Sequence, residues 1–170
     1  MKKIFFAITG LVIFSVTLAQ KNSDNKFRFS AGPEIGFASG TFNNTNSIGI
    51  GATIQGEFNV ATATNFTLTT GYLSYAGRSA GAGIKYKAAG VLPLKAGIKY
   101  FLSSGFYSAA QLGAGLFNNG RGTALAYTPM LGYEFTTKTD KAVDASIKYD
   151  GYAVNGGSFG SVGLRLAYRF

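Results

Sequence analysis

Residues 161–170 alternate without interruption. Val162, Leu164, Leu166, Tyr168 and Phe170 fall on one face, and Ser161, Gly163, Arg165, Ala167 and Arg169 on the other. A period of two is that of a β-strand. One face is wholly apolar, whereas the other carries two arginines among small residues. Taken alone, the segment suits a half-buried strand of a soluble sheet as well as a strand between lipid and a polar interior.

The same period recurs along the chain and predicts eight strands. They cover roughly residues 27–37, 48–58, 66–76, 84–100, 106–116, 125–135, 143–150 and 161–170. In the first, Phe27, Phe29, Ala31, Pro33, Ile35 and Phe37 oppose Arg28, Ser30, Gly32, Glu34 and Gly36. The fourth is the longest, with Ile84, Tyr86, Leu92, Leu94, Ile98 and Tyr100 against Lys85, Lys87, Pro93, Lys95, Gly97 and Lys99. Phase breaks at Leu73–Tyr75, where a bulge is expected. Segments rich in Gly, Asn, Ser and Thr at 39–47, 77–83, 118–122 and 151–158 read as loops.

Composition narrows the class. The chain has 24 Gly, 15 Phe and 10 Tyr among 170 residues, with no Trp, His or Cys. Aromatic and β-branched residues suit a pleated surface, glycines suit turns, and no helical period is sustained. Residues 1–19 read as a secretory signal peptide: Met1-Lys2-Lys3, an apolar run from Ile4 to Val16, then Thr17-Leu18-Ala19 with cleavage near Ala19. The run is too short and too interrupted for a membrane-spanning helix. Residues 20–26 read as a short polar lead-in, and 27–170 as one β-domain. Without cysteine no disulfide framework holds an exported domain of this kind, so closure or a large buried surface must.

Setting aside Lys2 and Lys3 leaves fourteen basic and seven acidic residues, a net +7 (14 − 7). The basic residues recur singly at alternating positions rather than in a run, which argues against nucleic acid and for a lining. Eight strands of this length with short links fit the smallest transmembrane barrels, in which hydrocarbon leaves no sheet edge solvated and the last strand must pair with the first. The predicted fold is therefore an all-β, eight-stranded, antiparallel up-and-down transmembrane barrel with both termini at one end. Phe27, Phe58, Phe66, Tyr100, Phe106, Phe135, Tyr168 and Phe170 would form an aromatic girdle at that end, and Phe37, Tyr72, Tyr86, Phe117 and Tyr149 one at the other. The inward charged set would be Arg28, Glu34, Glu57, Lys85, Lys87, Lys95, Lys99, Glu134, Asp144, Lys148, Asp150, Arg165 and Arg169. Such a set would mostly plug a lumen only wide enough for side chains. Its eight basic and five acidic members would make any residual permeation anion-favouring.

Two segments carry a family resemblance. Residues 91–101, from Val91 through Pro93, Lys95 and Lys99 to Phe101, are similar to the proline-bearing central strand of the small outer-membrane β-barrels of Gram-negative bacteria. This is the porin-family, OmpX/OmpW-like group. The closing run from Gly163 to Phe170 resembles the C-terminal signal of that family. The resemblance implies an outer-membrane location and identifies Leu164, Leu166, Tyr168 and Phe170 as what the barrel-assembly machinery reads. It also implies outer-membrane lipid as the surroundings. The expected protein is a monomer with a role in envelope structure or limited small-solute permeation.

Enzyme chemistry finds little support. Without His or Cys, no Ser-His-Asp, Cys-His or usual zinc site can be built. Asp144 and Asp150 lie on one strand face roughly 20 Å apart at about 3.3 Å per residue, too far for glycoside hydrolysis. Glu134 and Asp144 could meet across a hairpin, where ion pairing is the expected use. Glycines such as Gly49, Gly51, Gly113 and Gly115 make room in a narrow barrel. No catalytic residue, cofactor or metal is expected. The rival is a soluble exported calycin-like barrel for a small apolar ligand, which would need an apolar interior.

Overall fold

The C-terminal alternation becomes the strand that closes a barrel. The computed structural model describes residues 27–81, 84–118, 122–137, 141–154 and 156–170. Residues 1–26, expected from the sequence to be a signal peptide and a polar lead-in, lie outside the described residues. The strands are β1 (Phe27–Ser39), β2 (Asn46–Ala61), β3 (Thr64–Gly77), β4 (Ser79–Gly81), β5 (Ile84–Lys85), β6 (Ala89–Phe101), β7 (Phe106–Phe117), β8 (Gly122–Thr136), β9 (Ala142–Val154) and β10 (Gly157–Arg169). Eight of them form a closed antiparallel barrel in the order β1-β10-β9-β8-β7-β6-β3-β2, while β4 and β5 make a separate small hairpin. Closure sets Ala31 opposite Tyr168, Glu34 opposite Arg165 and Phe37 opposite Val162, and the Phe170 amide donates to the Phe29 carbonyl at 2.9 Å.

The long fourth strand is two elements. Its first part leaves the wall as the β4–β5 hairpin, and β6 starts at Ala89. Lys85 and Lys87, assigned to the lumen from their alternation, are exposed outside it. Alternation reports a pleat but not which sheet the pleat belongs to. Another reassignment is at 151–158, where β9 runs on to Val154 and β10 begins at Gly157. The irregularity expected at Leu73–Tyr75 falls on the neighbouring strand, between Asn46 and Gly49 of β2. Leu73 and Tyr75 keep the phase of β3 and point inward because the interior there is apolar.

The three prolines all lie in wall strands. Pairing passes from Ala31/Tyr168 to Glu34/Arg165 at Pro33, from Thr70/Leu94 to Leu73/Val91 at Pro93, and from Tyr127/Gly151 to Met130/Lys148 at Pro129. Proline has no N–H to donate, so each interrupts one ladder and leaves the opposite one intact.

The outer wall is apolar: Phe29, Ile35, Ile50, Ile54, Leu68, Leu94, Leu112, Leu131, Ile147, Leu164 and Leu166 are all exposed. At the end carrying the termini, ring pairs Phe27–Phe58 (4.4 Å between centroids), Tyr133–Phe135 (4.7 Å) and Tyr168–Phe170 (5.0 Å) edge that band. Phe117, expected in the opposite girdle, is instead buried inside against Tyr152 and Phe159. The interior has two zones. Charged and amide side chains fill the half toward the termini, and an apolar cluster fills the loop end. Glycine makes space for the large inward rings: a Cβ at Gly49 would sit 2.5 Å from the Tyr75 ring.

Candidate functional site: the filled lumen

Inward-facing strand positions bring the predicted charges together in two linked groups. At the centre of the first is Lys99 on β6, fully buried, whose ammonium donates to Glu57 of β2 at 2.9 Å, to Asp144 of β9 at 3.0 Å and to Glu134 of β8. Glu134 stands opposite Asp144 in register across the β8–β9 hairpin and also accepts from Arg169. Neutral groups complete the shell. Asn65 and Gln55 donate to Glu57 at 2.9 and 2.8 Å, and the Tyr107 hydroxyl donates to Asp144 at 2.8 Å. The Tyr107 ring lies 4.0 Å beneath the Lys99 ammonium, a cation–π contact strengthened by desolvation.

The second group lies deeper toward the loops. Lys95 donates to Asp150 at 2.7 Å and to Thr128 at 2.9 Å, while Lys148 bridges Asp150 at 3.0 Å and Glu34 at 2.5 Å. Arg165 donates to Thr53 at 2.8 Å and Ser30 at 3.0 Å, and its second terminal nitrogen lies 3.7 Å from Asp144, joining the two groups. Gln111 donates to Thr69 at 2.8 Å and Thr67 at 3.1 Å, bracing the wall where no charge stands.

Of the thirteen residues predicted to line the lumen, ten are buried inside it, Arg28 is half-buried at the mouth opposite Glu57, and Lys85 and Lys87 lie outside. The buried ten divide into five cations (Lys95, Lys99, Lys148, Arg165, Arg169) and five anions (Glu34, Glu57, Glu134, Asp144, Asp150). The lumen is thereby charge-balanced, and the excess of basic residues behind the anion-favouring expectation disappears. Balance matters because each unpaired buried charge carries a penalty of several kcal/mol. Glu57, Glu134 and Asp144 have carboxylate oxygens mutually within 4.8 Å, a spacing that could hold a metal ion. In this chain the Lys99 ammonium supplies the positive charge there.

Leu164, Leu166, Tyr168 and Phe170 all sit on the outward face of β10 or just after it. Sequence reasoning missed the apolar loop-end cluster. Phe42 and Tyr152 stand in segments read as loops, Phe159 falls between the 151–158 loop and the last predicted strand, and Leu73 and Tyr75 stand in a segment read as irregular. The one available signal was the persistence of β3 parity through Leu73 and Tyr75.

The chain is similar in fold to Ail. The crystal structure of Ail, the attachment invasion locus protein of Yersinia pestis, superposes with a TM-score of 0.55 at 14% identity, covering 85% of this chain and 97% of Ail. The backbone structure of the Yersinia pestis outer membrane protein Ail in a phospholipid bilayer nanodisc gives 0.54 at 17% identity over 85% of this chain and all of Ail. Ail in complex with the heparin analogue sucrose octasulfate gives 0.57 at 15% identity over 86% and 99%. No protein-family model matches the chain, and no curated protein matches it in sequence.

Proposed function

We propose that this protein is an integral outer-membrane β-barrel of the OmpX/OmpW-like kind, monomeric and non-enzymatic, that serves envelope structure and conducts little or nothing. One observation carries the reading: the barrel is inside-out for water, with leucine, isoleucine and phenylalanine exposed on its wall and ten acidic and basic side chains buried in its lumen. In water such a wall would be an aggregation liability far larger than a monomer's ordinary apolar patch. Against hydrocarbon it is the favoured surface, and the closed ladder leaves no edge unsatisfied. The apolar outer wall and the ten acidic and basic side chains buried in the lumen disfavour the calycin-like alternative, a soluble barrel that turns its polar face to water. The likeness to Ail in a phospholipid bilayer supports the same location. The expected result is recovery in the outer-membrane fraction and no steady conductance when the purified protein is placed in a planar bilayer. Recovery in the soluble fraction would overturn the location, and large stable channels would overturn the plug.

A second reading concerns the loop end. Arg78, Lys85 and Lys87 are exposed there, and no acidic residue stands among the described residues of those loops. With the lumen balanced, the net positive charge of the chain falls outside it, which suits a surface for sulfated or phosphorylated glycans. Ail bound to sucrose octasulfate supports this reading. Lys85→Glu combined with Lys87→Glu should lower the salt concentration needed to elute the protein from heparin resin; unchanged elution would remove the role.

A further inference from the structure

The loop-end cluster is built from strand residues with one exception. Leu73 and Tyr75 come from β3, Val91 from β6, Phe117 from β7, Tyr152 from β9 and Phe159 from β10, all anchored in the wall. Phe42 belongs to a single 3-10 turn, Gly40–Asn44, between β1 and β2. Its ring is fully buried, 4.9 Å from Tyr75 and 5.2 Å from Phe159 between centroids. The wall thus makes an aromatic basket, and a loop residue fills it.

Apart from the buried Phe42 ring, the side-chain hydrogen bonds of the turn are polar contacts at the surface. Thr41 donates to the Ser158 carbonyl at 3.1 Å, and Arg78 donates to the Asn43 side chain at 2.6 Å, both in exposed positions where water competes for the same partners. Gly40 enters the turn with φ at 56°, a left-handed conformation that glycine takes without steric cost. At the basket floor the Tyr75 hydroxyl meets the Ser161 hydroxyl at 2.8 Å. Below it, Glu34 and Asp150 are ion-paired with Lys148 and Lys95, a set of two acids and two bases that offers no net charge to a ligand. An apolar aromatic enclosure with one hydrogen-bonding pair at its base has the makeup of a small-molecule site.

We propose that the loop-end lumen is a binding site for a small uncharged aromatic molecule bearing one hydrogen-bonding group, of the indole or phenol class, with Phe42 as its built-in and displaceable occupant. The ligand enters from the loop side as the turn swings about Gly40, and its ring takes the place of the Phe42 ring. Its polar group then bonds to the Tyr75–Ser161 pair. The proposal concerns the lumen and goes beyond the envelope role.

The chain has no tryptophan, so indole fluorescence reports on ligand alone. Indole would be titrated into nanodiscs holding wild-type protein, Phe42→Ala and Arg78→Ala, with lipid-only discs subtracted. Phe42→Ala, which empties the basket, should bind at least tenfold more tightly than wild type. Arg78→Ala, which releases the turn but keeps the ring, should bind severalfold more tightly and decides the matter if Phe42→Ala fails to fold. Refilling the basket with Val91→Phe in the Phe42→Ala background should return affinity to the wild-type level. Equal affinity in wild type and the folded variants would overturn the proposal, as would a refilled basket that still binds tightly. Protein that fails to enter nanodiscs at all would count against the membrane reading instead.

Discussion

Lys99→Ala is expected to be the most damaging single substitution in this barrel. The ammonium is fully buried and satisfies Glu57, Glu134 and Asp144 at once. Its removal leaves three close carboxylates, with Arg169 on Glu134 and the more distant Arg165, 3.7 Å from Asp144, as the remaining compensation. Breaking a buried pair costs about 3–5 kcal/mol because the surviving charge is stranded, and here three survivors also repel one another. Urea unfolding of protein refolded in detergent should show that loss in full. Calcium supplies the sharper control. Carboxylate oxygens within 4.8 Å of one another can converge on a cation taking oxygen ligands at about 2.3–2.6 Å once the lysine is gone. Millimolar calcium should therefore raise the unfolding midpoint of Lys99→Ala and leave wild type unmoved. A variant as stable as wild type, or one indifferent to calcium, would mean that the carboxylates are not gathered around this lysine.

A charge placed on the wall should behave as it does in hydrocarbon. Leu164 is half exposed at the middle of β10, and Tyr168 is exposed near the end of the same face. For a barrel in a bilayer, Leu164→Arg should cost about 2–4 kcal/mol, and Tyr168→Arg about 0–1 kcal/mol beyond the loss of its own packing, because the penalty fades from midplane to interface. In water both are surface substitutions, whose effects stay within about 0.5 kcal/mol. Unfolding from lipid vesicles would separate these cases. A flat response along β10 would take the wall out of the membrane.

Much of this was legible in the chain, and for a physical reason. Alternation of apolar and polar residues reads directly as the two faces of a strand. An even number of such strands, with no cysteine to staple them, points to closure. The eight wall strands, the outward Val162–Phe170 stripe and the inward placement of ten charges follow from that period, because in a thin closed sheet each side chain has only two directions available.

Other features depend on where strands meet. Lys85 and Lys87 alternate like their neighbours, yet they lie outside the lumen because the β4–β5 hairpin has left the wall. Phe117 looks like a girdle residue until its parity on β7 turns it inward toward Tyr152. Nothing in the sequence brings Lys99 to Glu57, Glu134 and Asp144, or Phe42 into a basket drawn from six wall strands; those meetings depend on register across the barrel and on a loop folding back into it. Period along the chain is a local property and therefore determined the faces. Partners inside the lumen are set by closure, so only the tertiary structure decided which charges neutralise one another and which ring closes the loop end.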